Sequence, residues 1–136
     1  MAEDLVAPGV PRILRAFVGT DADTPLSSAV RVKRNHPSTG LSQEFDLVAA
    51  CGDHALVCET RSRLRPADVD AFVELMQQAR SYLPEYEGKR IIGALGTLYA
   101  DDSVVRCGER AGLLVLTLGQ DLMEVRNSPG FVPRAF

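Results

Sequence analysis

The sequence predicts an α/β (α+β) domain, a mixed β-sheet flanked by helices, with residues 1–136 forming one unit. Three observations predict it. Segments with helical and with strand periodicity follow one another as helix, three strands, helix, strand, helix, strand. Two runs, RIIGALGT and GLLVLTL, are apolar throughout over strand length, the pattern of strands covered on both faces. Each of these runs follows a segment with helical spacing, and the first three strands have short connections, the order of a mixed sheet with helices packed against it.

The elements follow in order. From Leu5 to Phe17 the residues Leu5, Val6, Val10, Ile13, Leu14 and Phe17 recur at helical spacing, and Pro8 and Pro11 mark a break or a fresh start. GTDADTPLSS is loop by composition, and SAVRVKR alternates Val30 and Val32 with Arg31 and Lys33 as a half-buried strand does. RNHPSTG turns the chain. Two more strands lie in EFDLVAACGDHALVCETR, hinged on Gly52 and Asp53. Pro66 opens a helix whose stripe is Val69, Phe72, Leu75, Met76, Ala79 and Leu83, and Pro84 stops it. Between the two apolar runs, DDSVVRCGERAG reads as a short helix with acids at its start and Gly112 past its end. LMEVR supplies a last strand at an edge.

Composition narrows the function. A chain of 136 residues, 46% hydrophobic and 24% charged, suffices for one buried core, and no repeat, low-complexity tract or linker divides it. The net charge of -3 gives no whole-surface attraction to nucleic acid and leaves that role to a local basic patch. Cys51, Cys58 and Cys107 are odd in number and lack CxxC spacing, which suggests neither a disulfide framework nor a zinc site, and points to a reduced, cytoplasmic chain. MAEDLVAPGVPR carries acids and prolines where a signal peptide needs a basic start and an apolar run. No run approaches the roughly 18 apolar residues of a membrane span.

The hairpin around Gly52-Asp53 carries the chemistry. Gly at the first central position of a two-residue turn pairs Cys51 with His54. Counting outward, Ala49 faces Leu56, Leu47 faces Cys58, Asp46 faces Glu59 and Glu44 faces Arg61. Opposed residues hold their Cβ atoms about 4.5–5.5 Å apart, so two bare carboxylates there repel and a cation belongs between them. Magnesium suits such a site better than zinc, for which no His or Cys converges. Alternatively the two acids face solvent, with Glu44 and Arg61 forming a surface ion pair worth about 0–1 kcal/mol. The apolar neighbours Val48, Ala50, Ala55 and Val57 on that face speak against exposure, and the pattern alone leaves both readings open.

An acid one strand earlier, the Asp of EFDLV, a short hairpin, and ExR where ExK is expected together resemble the PD-(D/E)XK nuclease-like superfamily, which has the restriction endonuclease-like fold. The stretch RPADVDAFVELMQQARSYLPEYEGKRIIGALG is similar to a prokaryotic group of that superfamily, with a helix after the motif and a YxGK-type return. The likeness covers nearly the whole chain. It implies that Asp46, Glu59 and the backbone carbonyl of Thr60 hold magnesium or manganese. It further implies that Asp46, Glu59 and Arg61, with Glu3 from the first helix, act on DNA phosphodiester bonds. Gln78 and Tyr82 have a QxxxY spacing seen in one nuclease branch, although Tyr82 borders the apolar stripe and reads as core. Arg61 departs from the family, because an arginine cannot give up its proton and keeps only a fixed charge. If the strand continues that far, Arg63 and Arg65 extend its face, and Lys33 and Arg34 lie on a nearby turn; these four form either a DNA-contacting rim or simply solvated strand ends. Two functions follow: a magnesium-dependent nuclease, or a nuclease-fold module that no longer cuts and binds nucleic acid or protein. A homodimer is compatible with either.

Overall fold

The computed structural model of the chain describes residues 9–19, 24–118 and 123–136. Helix α1 runs over Val10–Val18. Pro11 lies in its first turn, where a missing N–H costs nothing, and Gly19 ends it at φ 71 with its N–H donated to the Arg15 carbonyl at 2.9 Å. Leu5 to Pro8 lie outside the described residues.

Strands β1 (Leu26–Asn35), β2 (Ser42–Cys51) and β3 (His54–Arg63) form an antiparallel meander. Helix α2 (Pro66–Tyr82) carries the chain across to β4 (Arg90–Tyr99), parallel to β3, and helix α3 (Asp102–Arg110) carries it to β5 (Leu114–Leu118), parallel to β4. Strand β6 (Met123–Val125) closes the far edge antiparallel to β5. The six strands lie in one sheet in chain order. The mixed sheet with flanking helices is therefore the architecture the periodicities called for, and among the described residues no helix is long and apolar enough to cross a membrane.

The continuous apolar runs have a direct cause: each serves two cores. In β4, Ile91 and Leu95 pack with Phe72 and Met76 of α2 and Val104 of α3, while Ile92 and Ala94 join Ile13 and Leu14 of α1 on the opposite face. Gly93 lies between Ile91 and Leu95 on the α2 side. A Cβ there would stand 2.9 Å from Leu113 Cδ2 and 3.0 Å from Phe72 Cε2, so the absence of a side chain sets how closely the helix approaches.

The Gly52-Asp53 turn, with Gly52 at φ 58, produces the expected pairs Cys51 with His54, Ala49 with Leu56 and Leu47 with Cys58. There the β2–β3 ladder stops. Asp46 and Glu59 do not become ladder partners, and Glu44 pairs with Lys33 on β1 rather than with Arg61. The reason is a bend. The β1–β2 pairing steps from Val30 and Leu47 to Val32 and Phe45, passing over Arg31, which sits at φ 52, and Asp46. Beyond this point the two strands curl over the α2 side of the sheet. Phe45 and His36 set their rings edge-on to Tyr82 at 6.0 and 5.3 Å, and Arg34 reaches Glu85 at 2.6 Å. Phe45 thereby joins the α2-side core, although its parity with Leu47 and Ala49 would send it to the α1 side.

Candidate functional site

The bend leaves the outgoing end of β3 without its neighbour on one side, and side chains complete the hydrogen bonding that β2 no longer supplies. Asp46 Oδ2 accepts from the Thr60 backbone N–H at 2.9 Å and from the Thr60 hydroxyl at 3.1 Å. A strand N–H that would otherwise lack an acceptor is satisfied by a carboxylate, and the pair marks where β2 parts from β3.

Glu59 and Arg61 follow on the α2 side of β3. Arg61 donates from Nη2 to Glu59 Oε1 at 3.1 Å and from Nη1 to the Thr60 carbonyl at 2.8 Å. Its Nε lies 3.6 Å from Asp68 Oδ1. Asp68 belongs to the first turn of α2, where its Oδ2 accepts from the Arg65 N–H at 2.9 Å and its charge suits the positive end of the helix. The guanidinium thus ties the end of β3 to the start of α2 through three partners.

Burial holds the Glu59 carboxyl above the usual glutamate range; the Arg61 charge pulls it down, and the charges of Asp46 and Asp68 push it up. The neighbouring Cys58 thiol is fully buried and is pushed up to about 12, first by burial and then by Asp46, so it is not a nucleophile at neutral pH.

The groups expected to hold a divalent ion can be tested against this geometry. The Glu59 carboxylate and the Thr60 carbonyl, two of the three expected ligands, both accept hydrogen bonds from Arg61, and the third, Asp46, spends Oδ2 on two donors of Thr60. So arranged, Glu59 Oε1 and the Thr60 carbonyl are engaged by a guanidinium and Asp46 Oδ2 by Thr60. Among the described residues no group of three His, Cys, Asp or Glu side chains is placed to hold a metal.

Of the residues singled out in the sequence, Asp46, Glu59, Thr60 and Arg61 come together. Arg63 lies beside them with its guanidinium 5.4 Å from the centre of the Tyr99 ring, its partner in the β3–β4 ladder, and Arg65 is exposed just before α2. Lys33 pairs in the β1–β2 ladder with Glu44, and Arg34 does not join the group. Arg34 is paired with Glu85, past the far end of the 17-residue α2, a helix roughly 25 Å long. Tyr82 is core, as its place on the stripe implies, and Gln78 is exposed. Glu3 lies outside the described residues. Asp68 is the member that sequence reasoning missed. Its signal was present in RPAD, a proline at the first helical position and an acid two residues later.

Over residues 24–125 the chain matches the family described as Domain of unknown function (DUF8196), and it belongs to that family. The matched range runs from β1 to β6 and includes the whole Asp46–Asp68 site. No curated protein and no solved structure matches the chain.

Proposed function

We propose that this member of the DUF8196 family is a nuclease-like domain, of the restriction endonuclease-like kind that its motif resembles, which binds nucleic acid without cutting it. The observation that carries the reading is the place of the Arg61 guanidinium, bonded to both Glu59 and the Thr60 carbonyl. Phosphodiester hydrolysis needs a water activated at neutral pH, by a metal or by a base. Arginine stays protonated and serves as neither. Its fixed charge instead offsets part of the charge of the acids, and it keeps β3 attached to α2.

Beside this centre, the surface offers a different chemistry. Arg63 is exposed and lies over the Tyr99 ring, which is 55% exposed, with Leu98 next to it. A cation beside an open aromatic face is the pairing that single-stranded nucleic acid uses, the cation for phosphate and the ring for a base. Arg65 adds a second exposed cation near the same strand end.

Two measurements test the reading. Plasmid DNA incubated with magnesium or manganese should remain supercoiled. A fluorescent single-stranded oligonucleotide should bind with an affinity that falls as salt rises, and Arg63→Ala should weaken binding while lowering the salt slope by about 1. Tyr99→Ala should weaken binding with little change of slope. Manganese-dependent nicking that Glu59→Gln abolishes would overturn the proposal in favour of the hydrolase, and absence of binding at low salt would remove nucleic acid as the partner.

A further inference from the structure

At the end of the sheet away from Arg61, the starts of β3 and β4, the last turn of α1 and the segment 130–135 border a half-open cavity of about 390 Å³. Its walls are largely apolar, with Phe17, Ile92, Phe131 and Val132 among them. The segment forming the outer wall is pinned from both sides: Phe131 N–H donates to the Ser128 carbonyl at 3.1 Å, Arg134 N–H to Gly112 at 2.9 Å and Phe136 N–H to Ile91 at 2.8 Å. The cavity is therefore built into the fold, and its size lies in the range of about 300–1,000 Å³ common for small-molecule sites.

Two polar side chains line it. His54 and Arg90 are direct partners in the parallel β3–β4 ladder, and both share the α1-facing parity of Leu56 and Ile92. Of the two, Arg90 is the one open to a ligand. Arg90 makes no ion pair and its guanidinium no hydrogen bond among the described residues, although other arginines, Arg34 and Arg126, pair with carboxylates. His54 Nδ1 is enclosed, lacks a hydrogen-bond partner and is out of reach of a molecule in the cavity.

We propose that this cavity is a binding site for a small aromatic carboxylic acid. The carboxylate pairs with the Arg90 guanidinium, whose planar fork matches it with two parallel hydrogen bonds. The ring lies against Phe17, Ile92 and Phe131. The lining decides the class: a single guanidinium balances a monoanion, and a phosphate dianion would lack donors in walls that are largely apolar.

Calorimetry on the full chain with naphthoate tests the site, with naphthalenemethanol as a probe of the same ring and no charge. Saturable one-to-one binding of naphthoate is expected, with the alcohol weaker by about ten-fold or more, since a charge-assisted bond is worth about that factor. Arg90→Met should bring naphthoate down to the level of the alcohol while keeping the wild-type melting temperature, because Arg90 is exposed and its backbone bond to the Asp53 carbonyl survives the change. Phe17→Ala should weaken both probes alike. Oligonucleotide binding should be untouched by Arg90→Met, which separates this site from the Arg63 surface. Equal affinity for the two probes, an Arg90→Met variant that binds naphthoate like the wild type, or no heat at millimolar naphthoate would each overturn the proposal.

Discussion

Replacing Arg61 with Met keeps the length of the stem and removes the guanidinium, which isolates what that charge does. The structure sets the size of the effect. The pair with Asp68 is long, at 3.6 Å, and the Arg61 side chain is 41% exposed, so solvent screening leaves it worth a few tenths of about 1 kcal/mol. The bonds to Glu59 and to the Thr60 carbonyl, at 3.1 and 2.8 Å, are charge-assisted but also partly solvated, and about 1 kcal/mol each is a reasonable net value. The variant should therefore be less stable by about 2 kcal/mol, a fall in melting temperature of roughly 6–10 °C for a domain of this size. A second effect follows from the acids that remain. Arg61 is what pulls the Glu59 carboxyl down, both through its field and through its hydrogen bond. Without it, Asp46, Glu59 and Asp68 repel with no internal cation among them, and an added divalent ion should be taken up in its stead. At ten times its dissociation constant such an ion restores about 1.4 kcal/mol. The chain has no Trp. Melting is therefore best followed by far-ultraviolet circular dichroism, for wild type and Arg61→Met, with and without millimolar manganese. The expected pattern is an insensitive wild type and a destabilised variant that manganese partly restores. A wild type that gains as much from manganese as the variant, or a variant that melts with the wild type, refutes the view that the guanidinium stands in for a metal.

Other consequences are open to simpler measurements. Asp46→Ala strips the Thr60 N–H and hydroxyl of their acceptor and should cost about 1–3 kcal/mol in urea denaturation. Asp46→Asn retains a carbonyl oxygen and should recover most of that, so equal losses in the two variants would show that charge and not hydrogen bonding decides. The Glu59 carboxyl is held above its ordinary value of 4.5, so the folded state favours its proton: the stability it contributes is present in full below that value and is lost as pH rises through the raised one. The stability of wild type relative to Glu59→Gln should accordingly fall as pH rises across that window and then level, and a difference that grows with pH contradicts the assignment. Gly93→Ala places a methyl group against Leu113 and Phe72 and should cost about 1–3 kcal/mol by overpacking. An unchanged denaturation midpoint would mean that α2 lies farther from the sheet.

What the sequence determined by itself is what local rules encode. Prolines and glycines delimit the helices, as Pro66 and Pro84 do for α2. Gly52 and Asp53 fix the pairing near their own turn, because a two-residue loop leaves no freedom of register. The uninterrupted apolar runs of β4 and β5 report burial on two faces, since alternate residues feed different cores. The site was legible only in part. Counting outward from the turn assumes that the ladder continues, and whether it does depends on where Phe45 and His36 can be buried, which is against Tyr82, a residue of another element. Once the bend at Arg31 and Asp46 removes β2 from beside β3, Asp46 turns to Thr60, and Arg61 loses its expected neighbour Glu44 and gathers Glu59, the Thr60 carbonyl and Asp68. The alignment of His54 with Arg90 is equally beyond local reading, because α2 sets the register of β3 against β4. Periodicity records which face of an element is buried. The partners of a charged side chain at the end of a sheet are decided by how distant elements close around it, and only the tertiary structure contains that information.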